Sequence, residues 1–138
     1  MRYFVRMLRN DQGVSAIQFA FVAPMLVFLT VAIIDIGRLG LTSTSVRYAV
    51  FEGARFAIAH GANSQDPKTD DEIKTFTATR AIGIPVQASD VVITRDPDDD
   101  NPGSKVTITL DVPLNLFAEG FTPLAPTTIT RSATMTVF

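Results

Sequence analysis

The chain has 138 residues, of which 46% are hydrophobic and 19% charged, and its formal net charge is −2. This length accommodates one small domain with a modest core. The chain contains no cysteine and a single histidine, which excludes disulfides and a zinc site built from cysteine and histidine. No basic cluster indicates binding to nucleic acid.

The longest apolar run lies near the N-terminus, covers residues 14–34 and contains no charged residue: VSAIQFAFVAPMLVFLTVAII. As a helix rising about 1.5 Å per residue, it is long enough to cross a hydrocarbon core about 30 Å thick. Arg2, Arg6 and Arg9 precede it, and basic residues beside a span tend to remain in the cytoplasm. We therefore expect a single-pass protein whose N-terminus is cytoplasmic and whose remaining residues lie outside.

Polar residues interrupt or follow this run at a few positions. Gln18 places an amide near the cytoplasmic end, where it needs a hydrogen-bond partner or lies among the headgroups. Pro24 removes one helical hydrogen bond and predicts a bend that membrane helices tolerate. Asp35 and Arg38 lie three residues apart, so they either pair on the helix or act as two independent charges at the outer headgroup level.

The helix is predicted to continue beyond the span. Small and apolar residues recur at helical spacing and define one face: Val46, Ala49, Val50, Gly53, Ala54 and Ala57. Phe51, Phe56 and Ile58 are predicted to widen this face, while Glu52 and Arg55 mark polar sides. These residues predict a second, amphipathic part of the same helix.

A helix stop follows this stripe. Gly61 and Asn63 favour an end there, so the sequence predicts one helix over residues 13–60, bent at Pro24 and near Gly40. Gly37, Gly40 and Gly53 weaken the helix by roughly 1 kcal/mol each, but they permit close approach of another backbone.

Residues 62–138 are predicted to form a small α+β domain. A polar loop leads to a short helix over residues 71–82, capped by Asp70 or Asp71, with three side chains directed inward: Ile73, Phe76 and Ile82. Alternating apolar residues predict strands at 91–94, 105–112 and 129–138, with Arg131 as an exception on the apolar face. Residues 113–127 predict a long, partly buried connection.

The predicted fold class is therefore α+β, with a long N-terminal membrane-spanning helix packed on a small antiparallel β-sheet. The predicted organisation is a basic leader (1–13), a transmembrane and extended amphipathic helix (14–61) and the α+β domain (62–138). The stripe on the helix is expected to cover the apolar face of the strands.

An acidic run at residues 96–101 invites a calcium interpretation. An EF-hand loop starting at Asp96 requires glycine at position 101 and glutamate at position 107, where this chain has Asn101 and Thr107. The sequence therefore favours a hairpin tip with solvated charges. We expect no enzyme, no metal and no cofactor.

The leader carries a more specific pattern. A short basic leader ends at Gly13, and the apolar helix begins directly after it at Val14. A polar residue, Gln18, lies five positions after the glycine. This resembles the class III signal of type IV pilins and pseudopilins, which prepilin peptidase cuts after the glycine. A secretory signal peptide is an alternative, but its apolar core is usually only about 7–15 residues long. An uncleaved signal anchor is another.

Three segments together resemble TadE-like proteins, the minor pseudopilins of tight-adherence (Tad/Flp) pili: GVSAIQFAFVAP (13–24), DIGR (35–38) and RYAVFEGARFAIAHG (47–61). The resemblance implies a pilin-like fold in the bacterial inner membrane, with a periplasmic domain and pilus association after processing. It implies prepilin peptidase, other pilins and pseudopilins of the same system, and an inner-membrane assembly platform as partners. It also implies cleavage between Gly13 and Val14, and assembly contacts through Gln18, Phe19, Pro24, Asp35, Arg38, Glu52 and Arg55.

This sequence departs from the pattern of type IV pilins at one position. They carry glutamate at the fifth mature position, where it neutralises the N-terminal amine of an adjacent subunit, and Gln18 offers no such charge. In related machinery the pseudopilin without this glutamate is placed at the filament tip. The resemblance therefore implies assembly, initiation or capping of a pilus. The alternative is a signal-anchored periplasmic or surface binding module whose loops at 96–103 and 113–127 contact a ligand.

Overall fold

A computed structural model describes residues 11–61, 63–98, 101–117 and 127–138. Four stretches lie outside these ranges: residues 1–10 of the predicted leader (1–13), residue 62, residues 99–100 of the acidic run and residues 118–126 of the proline-rich connection. The helices are α1 (Asp11–Ala59) and α2 (Asp70–Arg80), and a short 3-10 turn covers Ala88–Asp90. The strands are β1 (Val91–Asp96), β2 (Lys105–Leu114) and β3 (Thr127–Thr136).

The three strands form one antiparallel sheet in the order β1-β2-β3. Val91 pairs with Leu110 across β1 and β2, and Leu114 pairs with Thr127 at the start of β3. The long helix α1 and α2 pack against this sheet. The expected α+β class, with a long apolar N-terminal helix and a small antiparallel sheet, is confirmed.

The core lies between the C-terminal half of α1 and one face of the sheet. Every residue of the predicted stripe is buried, from Val46 to Ala57. On β2 the alternating residues are buried opposite it: Val106, Ile108, Leu110 and Val112. Ile129 and Ala133 of β3 are buried, and Met135 and Val137 are partly buried against the same cluster. Period-two alternation on a sheet with one covered face explains this result.

Two side chains predicted to face inward do not. Phe51 is 42% exposed and Ile82 is 74% exposed, whereas Phe56 and Ile58 pack partly buried against the core. Phe51 lies on the α1 face directed away from the sheet, and Ile82 follows the end of α2. The buried positions of α2 are Ile73 and Thr77.

The cap of α2 also differs from the prediction. Thr69, and not Asp70 or Asp71, is the N-cap residue, and its hydroxyl accepts a hydrogen bond from the backbone N–H of Glu72. The Glu72 carboxylate accepts the Thr69 N–H at 2.8 Å, which completes a capping box. The sequence Thr-x-x-Glu carried this signature.

Arg131, the exception in the alternation of β3, reaches α1. Its guanidinium donates to Ser43 Oγ at 2.8 Å and to the backbone oxygen of Thr130 at 3.1 Å. A charged side chain on the apolar face is therefore accommodated by polar groups at the edge of the core.

Gly53 allows α1 and α2 to approach closely. A Cβ atom placed on Gly53 lies 2.2 Å from Thr77 Oγ1, a distance that two real atoms do not adopt. Gly37 and Gly40 have nothing within 4 Å of such a Cβ atom. The predicted close approach is therefore found at Gly53 and not at the other two glycines.

Candidate functional site

The first half of α1 stands apart from the domain. Its apolar side chains are largely exposed from Val14 to Ile34, and Phe19, Phe21 and Met25 are 71%, 80% and 77% exposed. α1 is long and apolar enough to cross a membrane. A helix that is apolar all round and covered by no protein is suited to lipid or to other helices.

The predicted processing and assembly residues of this segment lie along its free surface. Gly13 and Val14 lie in the first turns of α1, which begins at Asp11, and Val14 is 49% exposed. Both residues therefore lie near the N-terminal limit of the helix that the structure describes.

Gln18 and Phe19 are exposed on the same segment, and Pro24 lies inside the continuous helix α1. No residue of the described domain covers these side chains, and the structure does not bring them together with Asp35 or Glu52.

The free segment meets the domain at Asp35. This residue is only 5% exposed, and its carboxylate accepts a hydrogen bond from the backbone N–H of Phe117 at 3.0 Å. Arg38 lies one turn later, with its Nη1 atom 3.6 Å from the carboxylate of Asp35. The two charges therefore pair, which selects one of the two interpretations left open by the sequence.

Arg38 also contacts the segment that contains Phe117. Its Nη1 donates to the backbone oxygen of Asn115 at 3.2 Å, and its guanidinium carbon lies 4.6 Å from the centroid of the Phe117 ring. We call residues 115–117 the strap. One acidic and one basic side chain thus fix the strap to α1 at the point where the free helix leaves the domain.

Glu52 and Arg55 form the second predicted pair. Arg55 Nη1 lies 3.7 Å from Glu52 Oε1, and the Arg55 side chain is 71% exposed. The pair lies on the outer surface of α1 with the exposed Phe51 beside it. An exposed pair of this type contributes at most about 1 kcal/mol to stability, so its charges remain available to a partner.

The strap is the feature that the sequence did not reveal. Asn115 and Phe117 lie in a proline-rich stretch without periodicity, so no pattern predicts that they contact α1 some eighty residues earlier. The only available signal was the isolated Asp35–Arg38 pair next to an apolar run, which requires a polar partner when buried.

A further ion pair, between Asp70 and Arg95, positions α2 against the sheet. Arg95 of β1 donates to both carboxylate oxygens of Asp70, at 2.6 and 3.1 Å. These hydrogen bonds lower the pKa of Asp70 below its ordinary value of 3.8. The Thr69 backbone N–H likewise lowers the pKa of Glu72. Both groups belong to the folded domain and lie far from the free helix.

The described residues show no metal-binding cluster. No group of three or more histidine, aspartate or glutamate side chains comes together among them. His60 stacks on Phe56, with ring centroids 4.2 Å apart. The hairpin between β1 and β2 carries the acidic run, of which Asp99 and Asp100 lie outside the described residues. The exposed apolar surface of α1 can contact lipid or other helices.

The family model for TadE-like proteins matches residues 13–55. The resemblance predicted from the sequence is thereby confirmed for this segment. The matched segment begins at Gly13, contains the whole free helix and the Asp35–Arg38 pair, and ends at Arg55. No curated protein and no solved structure matches the chain.

Proposed function

We propose that this protein is a membrane-anchored minor pseudopilin that takes part in the assembly, initiation or capping of a Tad-type pilus. The observation that carries the proposal is the TadE-like helix itself, which is apolar and uncovered from residue 14 to residue 34 and begins next to Gly13. Such a helix is exchangeable between a bilayer and a bundle of similar helices, as assembly of a pilus from membrane-stored subunits requires.

The proposed processing step removes residues 1–13 and leaves Val14 as the new N-terminus. Prepilin peptidase is the proposed protease, and the inner membrane with a periplasmic domain is the proposed location. Cleavage creates an ammonium group at the end of an apolar helix, where it needs a negative partner. Gln18, four residues later, accepts a hydrogen bond but supplies no charge.

We infer from Gln18 that the protein lies at the tip of the filament or initiates it. Its own amine meets carboxylates of other pilins, while no subunit above it requires a carboxylate from this chain. Phe19 and Pro24 lie on the same free segment and are proposed to contact neighbouring helices. Glu52 and Arg55 present charges on the outer surface of α1, where another subunit of the filament can reach them.

Gln18→Glu tests this position. Two opposite charges about 4 Å apart attract by about 4 kcal/mol at an effective dielectric constant of about 20, and every 1.4 kcal/mol corresponds to a factor of about ten in association. The new carboxylate is therefore expected to recruit a following subunit and to raise the amount of this protein in sheared pili by at least about tenfold.

The matched control is Gln18→Asn, which keeps an amide and adds no charge, and which is expected to leave the amount unchanged. Wild-type protein that is already abundant along the shaft would contradict the tip position. An absence of the protein from pili, together with no change in pilus number when it is deleted, would favour the binding-module alternative.

A further inference from the structure

We propose that the strap and the adjacent turn of α1 form an interfacial anchor that seats the domain on the phospholipid bilayer. The anchor consists of the exposed side chains of Leu41 and Phe117 around the guanidinium of Arg38. It rests on the membrane anchoring contained in the proposed function, but it concerns the folded domain and not the span.

The exposed apolar residues at this end of the domain support the proposal. Leu41 is 76% exposed and Phe117 is 59% exposed. Arg38 and Leu41 line a groove of about 330 Å³ together with residues 83–85 and 112–115. The groove therefore has mostly apolar walls and a cation at its rim.

The position of these residues along α1 selects lipid as the occupant. The free apolar segment ends at Ile34, so Arg38 lies about 6 Å beyond it along the helix axis and Leu41 about 10 Å. Headgroups extend about 5–8 Å beyond the hydrocarbon core on each side. Arg38 and Phe117 thus lie at headgroup depth whenever residues 14–34 span the bilayer. The Cα atom of Leu41 lies just beyond the headgroups, and its side chain slants back toward them because helical side chains tilt toward the N-terminus of their helix.

The chemistry of the groups fits this depth. Segments that lie in the membrane interface combine phenylalanine and leucine on their apolar side with long basic side chains on their polar side. The hydrogen bond from the Phe117 N–H to Asp35 and the one from Arg38 to Asn115 hold the strap close to the helix. The ring is therefore presented to the lipid without a loop having to become ordered on binding.

The opposite end of the sheet carries an exposed phenylalanine that can be compared with Phe117. Lys105 pairs with Thr136 there, and Phe138 follows with its side chain fully exposed. β2 spans about 30 Å between Leu114 and Lys105 at about 3.3 Å per residue. Phe138 is thus an exposed phenylalanine on the same domain, far from the predicted bilayer surface.

Fluorescence quenching by brominated phosphatidylcholine tests the anchor. The chain contains no tryptophan, so Phe117→Trp, Phe138→Trp and Met25→Trp each give a full-length protein with one reporter, studied in nanodiscs. Bromine placed near the glycerol end of the acyl chain is expected to quench the Phe117→Trp emission strongly. The Phe138→Trp emission is expected to keep its intensity, and Met25→Trp is expected to be quenched most by bromine deep in the chain.

The outcomes separate the anchor from the span. Emission of Phe117→Trp that is quenched no more than that of Phe138→Trp, while Met25→Trp is quenched, would overturn the anchor and leave the span intact. Unquenched Met25→Trp would overturn both. Emission that changes with protein density in the bilayer, and not with bromine, would assign the patch to a second copy of this chain and also overturn the anchor.

A second substitution tests whether the quenching depends on the proposed lipid contact or only on the introduced tryptophan. Leu41→Glu in the Phe117→Trp protein adds a charge at the predicted lipid contact and is expected to reduce the quenching by shallow bromine. Tyr48→Glu is the matched control, because Tyr48 is also exposed on α1 but lies about 10 Å further from the bilayer. Equal quenching in these two variants would count against the anchor.

Discussion

Asp35 is the residue at which the exposed apolar helix becomes part of a packed domain. Its carboxylate is nearly inaccessible to water in the structure and contacts both the Arg38 guanidinium and the Phe117 N–H. A buried carboxylate without such partners is strongly destabilising. The arrangement therefore explains why a charged residue is tolerated directly after the longest apolar run.

Asp35→Ala removes the acceptor of the Phe117 N–H. A hydrogen bond to a charged group contributes about 1.5–3 kcal/mol, so we expect exchange of the Phe117 amide hydrogen to accelerate by about tenfold or more. Amide hydrogen exchange of the detergent-solubilised chain measures this directly. Asp35→Asn keeps an acceptor oxygen and is expected to accelerate exchange much less, whereas identical rates in all three proteins would show that the strap is held by other contacts.

Gly53 and Gly40 offer a matched pair on the same helix. Gly53→Ala forces a Cβ atom against Thr77. Overpacking of this kind typically costs about 1–3 kcal/mol of stability, and we expect a cost near the upper end of that range. Gly40→Ala meets open space and is expected to stabilise the helix by up to about 1 kcal/mol. The melting temperature is expected to fall for Gly53→Ala and to rise slightly for Gly40→Ala.

The double variant Gly53→Ala, Thr77→Ala checks the cause. It removes the two closest atoms of Thr77 and is expected to recover part of the lost melting temperature. A Gly53→Ala protein as stable as the wild type would contradict the close packing of α1 and α2.

The elements differ in how well the sequence predicted them. The stripe from Val46 to Ala57 and the alternation of β2 were predictable, because burial on one face imposes a period on the sequence. The capping residue of α2 was misassigned because Thr69, Asp70 and Asp71 are all suitable N-cap residues. Only the capping box with Glu72 identifies Thr69 as the N-cap. The strap was not predictable, since its contacts with α1 depend on tertiary structure alone.

The ion pair between α2 and β1 predicts a pH dependence for the domain. Because the pKa of Asp70 is lower in the folded protein than its ordinary value of 3.8, its contribution to stability is complete above that value. The contribution is lost as the pH falls through the lower pKa of the folded state. We expect Asp70→Asn to lower the melting temperature at about pH 6, and to lower it less at about pH 2.

Asp71→Asn is the control for this measurement. It removes the same charge from the same turn of α2 but leaves both hydrogen bonds between Arg95 and Asp70 in place. A melting-temperature difference between Asp70→Asn and the wild type that is the same at both pH values would contradict a role for the carboxylate.

The whole molecule divides into two parts with different environments. The domain buries its apolar residues between α1 and the sheet, while the free half of α1 exposes its own to whatever surrounds it. Composition and the apolar run sufficed to predict this division. Gln18, Phe19 and Pro24 have no partner within the described part of the chain. The protein's position in a filament is therefore proposed from the chemistry of these residues.

The N-terminal sequence of the protein extracted from membranes tests the proposed pseudopilin role most directly. Removal of residues 1–13 predicts a mature chain that begins Val-Ser-Ala-Ile-Gln, and Gly13→Leu is expected to accumulate a precursor longer by those residues. A wild-type chain that still begins at Met1 or Arg2, with a gel position unchanged by Gly13→Leu, would contradict processing as a pseudopilin and indicate an uncleaved signal anchor.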